Sequence, residues 1–168
     1  MADFHTHRTH FTNGFSTLDP GLVVRAIGPS VTHVMEPYHF SQPPVARFNG
    51  YTSMGDPHDA DVVFEGSGEA FESLNFRATH YTAKVIWKNN LLTITNAAGD
   101  FYGGQANGWA HFVFPDQDHA QYAFGVNVTN ARLSPLIADQ MQHPNNLEGL
   151  LTGQLVIALI FGGDPHFA

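Results

Sequence analysis

Cysteine is absent from the 168-residue chain. That excludes a disulfide framework, a thiol nucleophile and any cysteine-based zinc site. It fits a reducing compartment, and equally a periplasmic protein that needs no disulfides. Charge is scarce as well. Asp, Glu, Lys and Arg make up 13% of the residues, about half of the usual ~25%. Only seven are cations (Arg8, Arg25, Arg47, Arg77, Lys84, Lys88 and Arg132), scattered against fifteen acids for a formal charge of −8. No basic stripe exists, which argues against nucleic acid and anionic membrane surfaces as partners. Long apolar runs are missing too. The longest spans 155–161, far short of the ~18 residues of a spanning helix. The first five residues, Met-Ala-Asp-Phe-His, open no basic-then-apolar run and do not read as a signal or transit peptide.

What is present is an ordinary apolar share of 43% and eleven histidines, enough for one domain with a real core. Protonating every histidine would move the charge from −8 to +3, so surface behaviour should change between about pH 7 and pH 5.5.

Hydrophobic period divides the chain. Residues 1–17 read as a strand or a disordered start. Residues 18–60 hold a helix and a Pro/Gly-rich connection: Asp19 suits an N-cap and Pro20 the first helical position. Leu22, Val23, Ile27, Val31, Val34 and Met35 recur at helical spacing, with Pro29 as a kink. A strand is expected over 45–52. From 61 to 159 the period is two. Val62 and Phe64 open a strand that Gly66-Ser67-Gly68 should break. Strands at 80–88 and 91–96 flank Asn89-Asn90, a turn suited to type I′, which sets Trp87 opposite Leu92 and Val85 opposite Ile94. Gly103-Gly104 makes a corner. Ala106, Gly108, Ala110, Phe112 and Phe114 then share one side of a strand, and Tyr122, Phe124, Val126 and Val128 alternate along the next. Ser134-Pro135 opens a short helix, and 150–159 is a last strand. Residues 160–168 form an atypical tail. The expected fold is mainly β: an antiparallel twisted sheet, half-pipe or open, with an N-terminal helix and one short crossover helix.

Several constellations carry possible chemistry. Asp3-Phe4-His5-Thr6-His7 has the D-x-H-x-H form of the first metal strand of barrel hydrolases, and His5, His7 and His10 could bind zinc or nickel. Such barrels need about 250 residues and further ligands on later strands. Asp116, Asp118 and His119 cluster in a turn, where acidic residues commonly serve conformation. Glu65, Glu69 and Glu72 straddle a glycine turn with no fixed separation. Trp87 and Trp109 could stack on sugars, as in a carbohydrate-binding β-sandwich, or pack in a core. Asn127-Val128-Thr129 is a formal glycosylation sequon. No phosphate loop, nucleophile elbow or Ser-His-Asp order is present. The residues imply no enzyme and no cofactor, with a metal-dependent hydrolase as the alternative.

The run 81–96, Tyr-Thr-Ala-Lys-Val-Ile-Trp-Lys-Asn-Asn-Leu-Leu-Thr-Ile-Thr-Asn, leads into Ala97-Ala98-Gly99-Asp100-Phe101-Tyr102-Gly103-Gly104-Gln105-Ala106-Asn107-Gly108. Asn127-Val128-Thr129-Asn130-Ala131-Arg132-Leu133 and Leu147-Glu148-Gly149-Leu150-Leu151-Thr152-Gly153-Gln154-Leu155 follow. This pattern resembles the C-terminal region of bacterial AsmA-like proteins, over about residues 15–157. The resemblance implies a periplasmic, inner-membrane-anchored protein of outer-membrane biogenesis whose curled β-sheet carries phospholipid acyl chains. Its partners would be those chains and neighbouring β repeats of the same or a related chain, without nucleic acid. The chain is much shorter than full-length members and lacks their anchor, as a fragment or frameshifted product would. Val85, Trp87, Leu92, Ile94, Phe124, Val126 and Val128 are the candidate lipid-facing residues. The same apolar face could instead pack under the helix of residues 18–35.

Overall fold

A computed structural model describes residues 2–3, 7–27, 29–53, 56, 59–115 and 119–161. Thirteen elements follow one another: β1 (Ala2–Asp3), β2 (Arg8–Ser16), α1 (Pro20–Ile27), α2 (Pro29–Met35), β3 (Tyr38–Phe40), β4 (Val45–Ser53), β5 (Ala60–Ser73), β6 (Phe76–Lys88), β7 (Leu91–Phe101), β8 (Gly104–Val113), β9 (Ala120–Arg132), α3 (Leu133–Met141) and β10 (Leu150–Phe161). The strands form one ten-stranded sheet in the order β1-β2-β4-β5-β6-β7-β8-β9-β10, with β3 beside the far end of β5. Every pairing is antiparallel. From β4 to β10 the sheet is an open meander of sequence neighbours, as the hairpin succession of turns predicts, and β2 joins β4 across the connection that carries α1, α2 and β3.

The helical segment follows a strand instead of opening the fold. β2 precedes it, because the alternating residues 8–16 pair with β4. Asp19 caps α1 as its sequence position demands: Oδ1 accepts the Gly21 N–H at 2.8 Å. Pro29 does not kink one helix. It opens a second, standing at the first position of α2, where its missing N–H costs nothing. Val24 of α1 and Val31 of α2 are buried against Phe112, Phe114 and Ala120, with Met35, Trp87, Leu92, Ile94, Ala110 and Tyr122 packed around them. This is the core, and it lies at one end of one face of the sheet.

Two local expectations are corrected. Gly66-Ser67-Gly68 does not break β5, which pairs with β6 straight through it. A side chain on Gly68 would overlap the phenol of Tyr81; the glycine makes room for a cross-strand ring instead of turning the chain. At Asn89-Asn90, Asn89 alone has a positive φ of 54°, so the type I′ pair is missing there. The turn with two positive φ values is Leu74-Asn75, at 51° and 64°, and Tyr102-Gly103 repeats it at 50° and 80°. Trp87 nonetheless pairs with Leu92 and Val85 with Ile94, as expected.

Four bulges account for the register shifts of the ladder, each at a non-glycine residue with positive φ. Asn13 (51°) lies in the bulge of β2, His80 (47°) in that of β6, Asn96 (51°) in that of β7, which shifts register against both β6 and β8, and Asn130 (56°) in that of β9. Asn tolerates the left-handed region, and the extra residue of a bulge bends the strand that carries it.

α3 is clasped to the opposite end of the sheet. Arg77 of β6 donates to both carboxylate oxygens of Asp139, at 2.8 and 2.7 Å. The Tyr102 hydroxyl donates to the same carboxylate at 2.7 Å, and Gln140 Nε2 donates to Leu74 O at 3.0 Å. The hydrogen bond from Arg77, reinforced by that from Tyr102, holds the Asp139 carboxyl below its usual range. Burial, then the bond to Asp139, pushes the Tyr102 phenol up to about 12.

Two predictions follow from these features. At Gly50 (φ 139°), a Cβ would overlap the Asp61 carbonyl oxygen of the paired strand. Gly50→Ala should cost about 2–4 kcal/mol in urea unfolding, whereas Gly153→Ala, with open space around it, should stay within about 0.5 kcal/mol. Asp139→Asn should cost about 1 kcal/mol at pH 7, because Arg77 is largely solvent-exposed and the pair is screened. The folded carboxyl titrates below its unfolded value, so its contribution is complete above about pH 4 and is lost as pH falls through the folded value. Urea midpoints of the two proteins should therefore converge as pH falls below about 4.

Candidate functional site: the inner face of the sheet

Strand pairing places all seven residues predicted to face lipid on one side of the sheet, the side covered in part by α1 and α2. One row crosses the strands as Phe48, Phe64, Val85, Ile94, Ala110, Phe124 and Ile157. The next runs Val62, Trp87, Leu92, Phe112 and Tyr122. On the other flank Ala46, Gly66 and Ala83 continue the face across β4–β6, and Gly108, Val126 and Leu155 across β8–β10. Val128 stands beside Ala106 and Gly153. The period-two alternation of each strand delivers this face.

The helices do not treat these residues alike. Trp87, Leu92 and Ile94 pack against the core formed with Val24 and Val31. Trp87 stacks on Phe114 with centroids 6.0 Å apart and planes 11° from parallel, and its indole N–H donates to Asn89 O at 2.8 Å. Val85, Phe124, Val126 and Val128 are half-buried and stand outside that core. The ordinary packing role thus falls to one end of the face, and the middle is left more open. Tyr38 approaches Tyr122, and burial first, then that neighbour, pushes its phenol pKa up.

Aromatic rings missed by the sequence reading extend the face. Phe48 meets Phe64 at 5.7 Å, Phe71 meets Tyr81 edge-on at 5.1 Å, and Phe40 meets both Phe71 and Tyr81 at about 6 Å. Phe40 comes from β3, beside β5, a three-residue strand too short to show a period. The Tyr81 hydroxyl is buried without a hydrogen-bond partner among the described residues, and burial raises its pKa. It is a polar atom set within an apolar surface.

Among the described residues the other candidates are not brought together. His5, Asp116 and Asp118 lie outside the described residues, as do residues 162–168 of the tail. Among the described residues no group of three or more His, Asp or Glu side chains is placed to hold a metal ion. His10 packs on Tyr51 at 5.6 Å, and Arg8 spends its guanidinium on Asp59 and on the Tyr51 ring. Glu65 pairs with Lys84 at 3.4 Å and Glu69 lies 3.7 Å from His80, so the three glutamates are separated along β5 with different partners. Asn127-Val128-Thr129 lies inside β9.

No family model, no curated protein and no solved structure matches the chain. Among the described residues no helix is long and apolar enough to cross a membrane.

Proposed function

We infer that this chain is a non-enzymatic lipid-handling segment of an AsmA-like envelope protein, sheltering phospholipid acyl chains on the inner face of its sheet. The observation that carries the reading is the extent of that face. Apolar residues run without a charged side chain from Phe48 of β4 to Ile157 of β10, while the two short helices bury only its Trp87–Phe112 end. The remainder is wide enough for alkyl chains to lie across strands, driven by removal of apolar area from water at about 25 cal/mol per Å². No residue needs to react. The Tyr81 hydroxyl suits an ester carbonyl of a bound lipid. The envelope location, periplasmic with an inner-membrane anchor elsewhere in the full-length protein, comes from the resemblance of residues 15–157.

Neighbouring β repeats are the second proposed partner. Leu155 and Val156 of β10 are 49% and 58% exposed, and among the described residues β10 pairs on one side only, with β9. Such an edge offers unpaired backbone groups to a further strand.

Native mass spectrometry of the chain purified from a bacterial envelope extract, with lipid extraction alongside, tests the reading. Near-stoichiometric phospholipid is expected, lost on Val126→Asp in a protein whose circular dichroism is unchanged. A folded, lipid-free wild-type monomer would overturn it.

A further inference from the structure

The outer face of the sheet is mostly polar, with Phe15 and Tyr51 near its β2–β4 edge and one tryptophan in its middle. Trp109 projects outward from the middle of β8 and is 37% exposed. Its partner in register is Gly125 of β9. A Cβ on Gly125 would meet three indole atoms at 2.6–3.1 Å, so the indole lies over the bare backbone of β9. One face of the ring is seated on the protein and the other is turned to solvent. His111 flanks it, with centroids 5.0 Å apart.

Polar groups stand on both sides of this platform. Toward β10, Asn107, Asn127 and Gln154 make a row of three side-chain amides across three strands, with Asn127 Nδ2 donating to Asn107 Oδ1 at 3.4 Å. Toward β5, the β7 bulge sets Thr95 and Asn96 against the single residue Trp109. Asn96 borders a shallow depression of about 390 Å³ that also takes in Ser67, Thr82 and the Glu65–Lys84 ion pair, with Gly66 and Ala83 beneath. Bulges of this kind re-aim side chains and are over-represented next to active sites.

The chemistry selects a class of ligand. A solvent-facing indole binds a flat, weakly polar surface. The hydroxyls and amides around it both donate and accept. The one cation in the depression is already paired with Glu65, and the chain is acidic overall, so a phosphate or nucleotide finds no counter-charge. A pyranose meets all three conditions, with a C–H face for the indole and equatorial hydroxyl or acetamide groups for the amides.

We propose that the outer face around Trp109 binds a neutral oligosaccharide, one sugar ring stacked on the indole and its neighbours reaching the β5–β7 depression and the Asn107–Asn127–Gln154 row. This site lies on the face opposite the apolar surface and stands or falls independently of lipid binding there.

Titration of the full chain with chitotetraose and with cellotetraose, followed by tryptophan emission and by calorimetry, tests it. Trp87 is the only other tryptophan and is stacked on Phe114, so it supplies a constant background. Saturable binding of one of the two sugars is expected. Trp109→Ala should weaken it by at least about tenfold, and Trp109→Phe by about threefold. The double variant Ser67→Ala/Thr82→Val, confined to exposed positions on the depression wall, should weaken it several-fold. No saturable binding of either sugar to the wild type would overturn the proposal, as would affinity unchanged in Trp109→Ala. If Trp109→Ala fails to fold, unchanged affinity in the Ser67/Thr82 double variant would overturn it.

Discussion

The structure depends on one ladder of antiparallel backbone hydrogen bonds between strands adjacent in sequence. Each strand from β5 to β9 pairs on both sides with the strands next to it in sequence, and β4 pairs with β2 across the connection that carries α1, α2 and β3. The main chain is paired locally through two-residue turns such as Leu74-Asn75, Asn89-Asn90 and Tyr102-Gly103. What the ladder does not supply is a second layer. A meander that does not close on itself exposes both faces unless helices cover one, and α1 and α2, at eight and seven residues, cover only one end. Among the described residues nine apolar side chains are buried while fifteen large apolar ones are exposed.

The bulges and glycines shape the ladder. At Asn13, His80, Asn96 and Asn130 an extra residue in a left-handed conformation re-aims the side chains on either side of it. Glycines then receive rings from the neighbouring strand. Gly14 lies under Phe48 and Gly68 under Tyr81, and on the other face Gly125 lies under Trp109. In each case the missing side chain lets an aromatic ring settle on the backbone, which covers the ladder and fixes the ring. The rings become the main features of both surfaces, clustered on the inner one and sparser on the outer.

The two faces carry different chemistries because pleating sends alternate residues to opposite sides. β8 is a compact case: Ala106, Gly108, Ala110 and Phe112 face inward, while Gln105, Asn107, Trp109 and His111 face outward. The inner set can only exclude water. The outer set stacks and hydrogen-bonds. At the far end the Arg77–Asp139–Tyr102 clasp holds α3 against the two type I′ turns, an ionic element on a surface with few charges.

Much of this was legible along the chain. Period-two alternation placed β7, β8 and β9 and put Val85, Trp87, Leu92, Ile94, Phe124, Val126 and Val128 on one face, because a strand's side-chain direction is a local property. The cap at Asp19 and the short helix after Ser134 are local in the same sense. The sequence could not say that Gly66 and Gly68 stay in a strand, since a glycine looks the same whether it turns the chain or seats a ring from another strand. It could not divide the apolar residues into those beneath α1 and α2 and those left open, because that depends on where a helix docks. Nor could it show that Trp109 rests on Gly125, sixteen residues away, or that Arg77 reaches Asp139 across sixty-two. Alternation is written residue by residue, but coverage is a relation between elements, and only the assembled sheet decides it.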